Sequence, residues 1–270
     1  MPTHLHENHP PGRSHGPATK LATALAIGTA LTFTAACGPG GGGHGTTAEA
    51  KSLITSCAGP VHSYVALDGT ASQGVGTLDK DRTRAVHGAV SRVAACGGSV
   101  KIVAFSSSSA ATTTLYEGGV PVHGATDQAR ARRLDGAATE VVSDVRDAYE
   151  VALPFLDPTG SDPVAQLRLF GEWAQQKGSG DARFLALTDG VQTMGVSPAE
   201  IAADPEAAAA KFRAPDLSGL SVTFAGIGEV AGAAPSTDVV DALKAFYTAL
   251  CERTKAATCT VVSAIAGASS

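Results

Sequence analysis

The chain reads as an α/β protein built on a doubly wound, mostly parallel sheet with helices on both faces, and three observations predict this. Short apolar runs alternate with longer amphipathic segments through most of the 270 residues. The runs are apolar throughout rather than at every second position, as strands covered on both faces are. Two of them run directly into short polar loops, Asp68-Gly69-Thr70-Ala71-Ser72 and Thr188-Asp189-Gly190. Loops of that kind gather at the carboxyl edge of a parallel sheet.

Composition narrows the class. The chain is 44% hydrophobic and 17% charged, enough for one sizeable domain and a flexible lead. Its net charge is −5, and its 20 Lys and Arg form no basic cluster, which argues against nucleic acid as a partner.

The first residues read as a targeting segment. Met1 to Lys20 is polar, with Arg13 and Lys20 as its fixed positive charges, and Leu21 to Ala36 is apolar. That stretch is short for a membrane span and suits a signal-peptide core. Thr34-Ala35-Ala36-Cys37 resembles a bacterial lipobox, with Thr34 where Leu is usual. The resemblance implies a signal peptide over residues 1–36 and acylation of Cys37. It also implies a lipid anchor on the extracytoplasmic face of the cell membrane. Gly38 to Gly43 is Gly-rich, so residues 37–54 are expected to form a flexible tether and residues 55–270 the folded domain.

Strands are expected over Ser63–Leu67, Val100–Phe105, Arg183–Leu187, Leu220–Ala225 and Thr258–Val262. Helices fall between them. Leu78–Ala95 carries Val86, Val90 and Val93 on one stripe, and Thr126–Leu153 carries Leu134, Ala138, Val141, Val145 and Tyr149. Pro163–Lys177 opens on a proline, which suits the first helical position. Ser197-Pro198-Ala199-Glu200 reads as a capping box, and Ser236–Cys251 spaces Val239, Leu243, Phe246 and Leu250 helically. Thr112–Val122 reads as a hairpin turning at Glu117-Gly118-Gly119 and supplying an antiparallel edge strand.

Five cysteines are present, Cys37, Cys57, Cys96, Cys251 and Cys259. Setting Cys37 aside leaves an even number, which in an exported protein favours two disulfides. Chain order suggests Cys57–Cys96, joining two points at one edge of the sheet, and Cys251–Cys259, across the turn between the last helix and the last strand.

The two polar loops, with Gly160-Ser161-Asp162 between them, resemble the metal-ion-dependent adhesion site of the von Willebrand factor A (VWA) domain. The resemblance covers roughly residues 57–265. That family's first loop is D-x-S-x-S, matched here by Asp68, Thr70 and Ser72 with one Ser replaced by Thr. Its T-D-G is matched at Asp189, and its second-loop hydroxyl at Ser161, with Thr159 as the alternative. The resemblance implies an antiparallel edge strand and one divalent cation, with Asp68 and Asp189 contacting it directly or through water. It also implies a protein partner that completes the shell with an acidic side chain. The donor types agree: carboxylate and hydroxyl oxygens without His or thiolate suit Mg²⁺, Mn²⁺ or Ca²⁺ rather than zinc.

Two other readings compete. A VWA scaffold without metal would bind proteins by packing alone. A haloacid-dehalogenase-type phosphatase would also place a nucleophilic Asp after its first strand, at Asp68. Most such enzymes carry a second Asp where this chain has Thr70, and residues 188–195 offer only Asp189. The chain is therefore expected to be a binding module and not an enzyme. His62, His87 and His123 show no metal-ligand spacing, and Trp173 is expected in the core.

Overall fold

The computed structural model describes residues 46–73, 78–178 and 180–267. Cys37, the apolar segment before it and the Gly-rich run after it lie outside the described residues. Six strands form one sheet in the order β3-β2-β1-β4-β5-β6. They are β1 (Val61–Asp68), β2 (Gly98–Phe105), β3 (Thr113–Gly118), β4 (Asp181–Leu187), β5 (Ser221–Ala225) and β6 (Thr258–Val262). All neighbouring pairs are parallel except β2 with β3, which is antiparallel at the edge. The chain builds outward from β1 in one direction, then returns to β4 and builds outward in the other. The carboxyl ends of β1 and β4 therefore flank a topological switch point, where loops diverge and leave a crevice.

Seven helices accompany the sheet among the described residues: α1 (Thr47–Thr55), α2 (Lys80–Cys96), α3 (Asp127–Ala152), α4 (Pro163–Lys177), α5 (Pro198–Ala203), α6 (Pro205–Ala210) and α7 (Thr237–Thr254). The expected apolar stripes are the faces that pack. Val86, Val90 and Val93 of α2 join Leu134, Ala138, Val145 and Tyr149 of α3 in a core on one side of the sheet. On the other side, α4, α5, α6 and α7 enclose an aromatic cluster of Tyr64, Phe170, Phe184, Phe224, Phe246 and Tyr247. Trp173 belongs to this second core, 4% exposed, with its Nε1 donating to Glu117 at 2.9 Å. Both disulfides take the pairing suggested by chain order, Cys57–Cys96 and Cys251–Cys259. In the chain-entropy picture the longer loop contributes about 4 kcal/mol and the shorter about 2.5 kcal/mol.

Two expectations need correction. Residues 47–54, expected in the tether, lie in α1, which buries Ala50 and Ile54 in the α2–α3 core. Thr46 and Glu49 close a capping box that starts this helix. Thr112–Val122 is not a self-contained hairpin either. A short 3₁₀ turn at Ser109–Ala111 folds β3 back onto β2 itself, and beyond Gly118 the chain leaves the sheet to bury Val120. Among the described residues no helix is long and apolar enough to cross a membrane.

Candidate metal centre

Asp68 ends β1, and its side chain is 0% exposed. A buried carboxylate needs hydrogen-bond partners, and here they come from three loops. From the first loop, the Thr70 amide and Oγ1 donate to Asp68 Oδ1 at 3.0 and 2.8 Å. From the second, Ser161 Oγ donates to Oδ2 at 2.9 Å. From the third, Thr188 Oγ1 donates to the same Oδ2 at 2.6 Å. Ser72 joins through its hydroxyl, 3.0 Å from Thr70 Oγ1.

Each loop is held in turn. Gly69 donates its amide to Phe105 O at 2.9 Å, and a Cβ there would stand 2.2 Å from Leu156 Cδ1. The lack of a side chain at Gly69 thus lets the second loop close over the first. Ala71 N donates to Pro158 O, tying the same two loops again. The second and third loops exchange bonds at Ser161 and Thr193, with Ser161 N to Thr193 Oγ1 and Thr193 N to Ser161 O both at 2.9 Å. Gly190 takes φ 82°, in the left-handed region that glycine adopts without strain, and its carbonyl accepts from Tyr247 at 3.0 Å. From below, Tyr149 and Arg82 donate to the Asp68 carbonyl at 3.1 and 3.3 Å.

Asp189 differs from Asp68. It is 1% exposed, and its Oδ1 accepts from the Val191 amide at 2.9 Å. Its Oδ2 is buried and has no hydrogen-bond partner among the described residues. Burial, and next the charge of Asp189, raise the Asp68 pKa above the usual carboxylate value, while the bonds from Thr188 and Thr70 oppose the rise. Tyr247 is pushed well up by burial and then by both carboxylates.

Asp68, Thr70, Ser72 and Ser161 are thus linked by hydrogen bonds, and Asp189 is joined to them by its field on Asp68. Thr159 is not part of the group: it is exposed and donates to Asp157 Oδ1 at 2.8 Å. Sequence reasoning gave Thr188 no role, although it makes the shortest bond to Asp68. Its signal was available, a hydroxyl between the end of a buried strand and the Asp of the loop. Arg82 and Tyr149 gave no signal, since nothing local in a helix marks a side chain that reaches a distant strand end. Among the described residues no group of three or more His, Cys, Asp or Glu is arranged to hold a metal. The site here is two carboxylates among hydroxyls.

No protein-family model matches the chain, and no curated protein does. Solved structures are similar to it, among them the following two. One is an aerotolerance-related membrane protein from Bacteroides fragilis NCTC 9343 with multiple mutations to serines, 14% identical, covering 77% of this chain and 94% of that one, at a TM-score of 0.36. The other is the conserved hypothetical protein BatB from Bacteroides thetaiotaomicron, 15% identical, covering 75% and 89%, also at 0.36.

The raised pKa of Asp68 makes a pH prediction. A carboxyl whose folded pKa exceeds its unfolded one contributes stability below the unfolded value and loses it as pH rises through the folded value. In EDTA, thermal unfolding of wild type and Asp68→Asn should therefore diverge, with the variant gaining relative stability as pH rises above about 4, the ordinary carboxylate value. A difference independent of pH would mean that ionising Asp68 costs the fold nothing.

Proposed function

We propose that this chain is a VWA-type module that binds a protein partner through one divalent cation, Mg²⁺, Mn²⁺ or Ca²⁺. In this reading it is displayed on the outer face of a bacterial cell membrane by a lipid on Cys37, and it is not an enzyme. The observation that carries the metal is Asp189 Oδ2, a buried carboxylate oxygen without a hydrogen-bond partner among the described residues, beside a second carboxylate that it perturbs. Two like charges in a dry site disfavour each other, and a divalent cation removes that cost for both.

The surrounding donors fit a hard cation. Thr70, Ser161 and Thr188 spend their hydroxyl protons on Asp68. Each oxygen then keeps lone pairs for an ion, and oxygen-only sets of this kind suit Mg²⁺, Mn²⁺ and Ca²⁺. Asp68, Thr70, Ser72, Ser161 and Asp189 would hold the metal, with Thr188 orienting Asp68. A bound cation with only two carboxylates supplies a residual positive charge that attracts an acidic side chain from a partner.

Exposed apolar side chains on the same loops support a protein partner. Phe155, one residue before the Leu156 that covers Gly69, is 79% exposed, and Met194, next to the Thr193 that bonds Ser161, is 43% exposed. The metal-free scaffold reading draws on one fact, the four hydrogen bonds that Asp68 already accepts.

Divalent metal should raise the melting temperature of the purified chain. At a hundredfold excess over Kd the gain is about 2.7 kcal/mol, or roughly 5–10 °C in a domain of this size. Asp68→Ala should fold and lose the rise. A melting curve unmoved by Mg²⁺, Mn²⁺ and Ca²⁺ leaves the metal-free scaffold. For the anchor, Cys37→Ser should release the chain from cells into the medium, and retention of that variant at the membrane would rule out the lipid.

A further inference from the structure

The two faces of the sheet are not covered alike. On the side packed by α1, α2 and α3, β5 and β6 give the core only Ala225 and the partly buried Val262, beneath Ile265. Strand register explains what lies below them. Ala225 and Val262 pair in one row, Leu185, Thr223 and Thr260 in the next, and Ser63, Arg183, Ser221 and Thr258 in the row nearest the strand starts. The face thus turns from apolar to polar along its length. A cleft of about 250 Å³ lies over the polar rows, closed on one side by Ala85, Gly88, Ala89 and Arg92 of α2. That is room for about eight water volumes.

Two guanidinium groups converge on this cleft, and they are not equivalent. Arg183 is already engaged, donating from Nε at 2.8 Å and also from Nη2 to Asp181 Oδ2. Arg92 is half-buried and has neither a hydrogen bond nor an ion pair among the described residues. Burial, and then the charge of Arg183, lower its pKa, with Asp181 opposing. The hydroxyls of Ser63, Ser221, Thr223, Thr258 and Thr260 are also without hydrogen-bond partners among the described residues. Arg92 makes the cleft electropositive after Asp181 has neutralised Arg183. Hydroxyl donors share the walls with the apolar Val65, Ala85, Ala89 and Leu185. A planar guanidinium beside free hydroxyls matches the geometry of a carboxylate or phosphate group.

We propose that this cleft is an oxyanion site, with Arg92 as the charged anchor and Ser63, Ser221 and Thr258 as hydroxyl donors, taking a small polar molecule that carries a phosphate or carboxylate. It lies at the opposite end of β4 from Asp189, about 20 Å along the strand, and does not depend on the metal reading. A two-dimensional amide NMR titration of the full chain in EDTA tests it, with sodium phosphate in one arm, sodium succinate in the other, and chloride balancing ionic strength. Saturable shifts at Arg183, Ser221 and Thr258 are expected with at least one anion, and the arm that saturates identifies the group. Arg92→Gln should weaken binding roughly tenfold or more, the loss of a charged hydrogen bond. Thr258→Val, an exposed change that keeps the strand's β-branched shape, should weaken it by a smaller factor and serves if Arg92→Gln fails to fold. Absence of saturable shifts in both arms overturns the site, as does wild-type affinity in the variants.

Discussion

A single buried carboxylate organises the carboxyl edge of this sheet. Asp68 stands at the end of the central strand with no access to water, and a charge there is tolerated only when its oxygens are satisfied. The partners cannot all be local. Thr70 lies two residues on, but Ser161 and Thr188 lie 93 and 120 residues away. Satisfying Asp68 therefore fixes three loops against one another, and the remaining features serve that fit. Gly69 admits Leu156, Gly190 makes the turn beyond Asp189, and the exchange between Ser161 and Thr193 joins the second and third loops.

The arrangement leaves an asymmetry that bears on function. Asp68 accepts four hydrogen bonds, whereas Asp189, almost as buried, has one oxygen engaged and the other without a partner among the described residues. Proteins rarely leave a buried carboxylate oxygen without a partner. The proposed cation accounts for that oxygen and for the crowding of the two charges together. The opposite end of the sheet has Arg92, which makes no hydrogen bond or ion pair among the described residues, over rows of Ser and Thr hydroxyls.

Much of this was legible in the sequence because burial on both faces writes itself as unbroken apolar runs, as in Tyr64-Val65-Ala66-Leu67. The long helices announced themselves by stripes such as Leu134, Ala138, Val141 and Val145. What was missed had weaker or misleading local signals. The Gly-rich run before residue 46 drew α1 into the expected tether, although Thr46 and Glu49 carry a capping box. Thr112–Val122 supplies the antiparallel edge strand as expected, but its hairpin does not form: Thr113–Gly118 pairs with β2, and Gly118-Gly119 does not turn the chain into a second strand. In the site, Asp68, Thr70, Ser72 and Asp189 could be named from loop motifs following strands, and Ser161 from a motif opening a helix. Arg82 and Tyr149 could not, because their contact with the Asp68 carbonyl exists only once two helices have packed on β1.

The claim on which the function rests is that a divalent ion sits between Asp68 and Asp189. Anomalous diffraction from crystals grown with Mn²⁺ tests it most directly. The account predicts one manganese peak with oxygen ligands from the first-loop residues Asp68, Thr70 or Ser72 at about 2.0–2.6 Å, and with Asp189 bound directly or through one water. An excess of Mn²⁺ that gives no peak there, with Asp68 and Asp189 left as they stand, would contradict it.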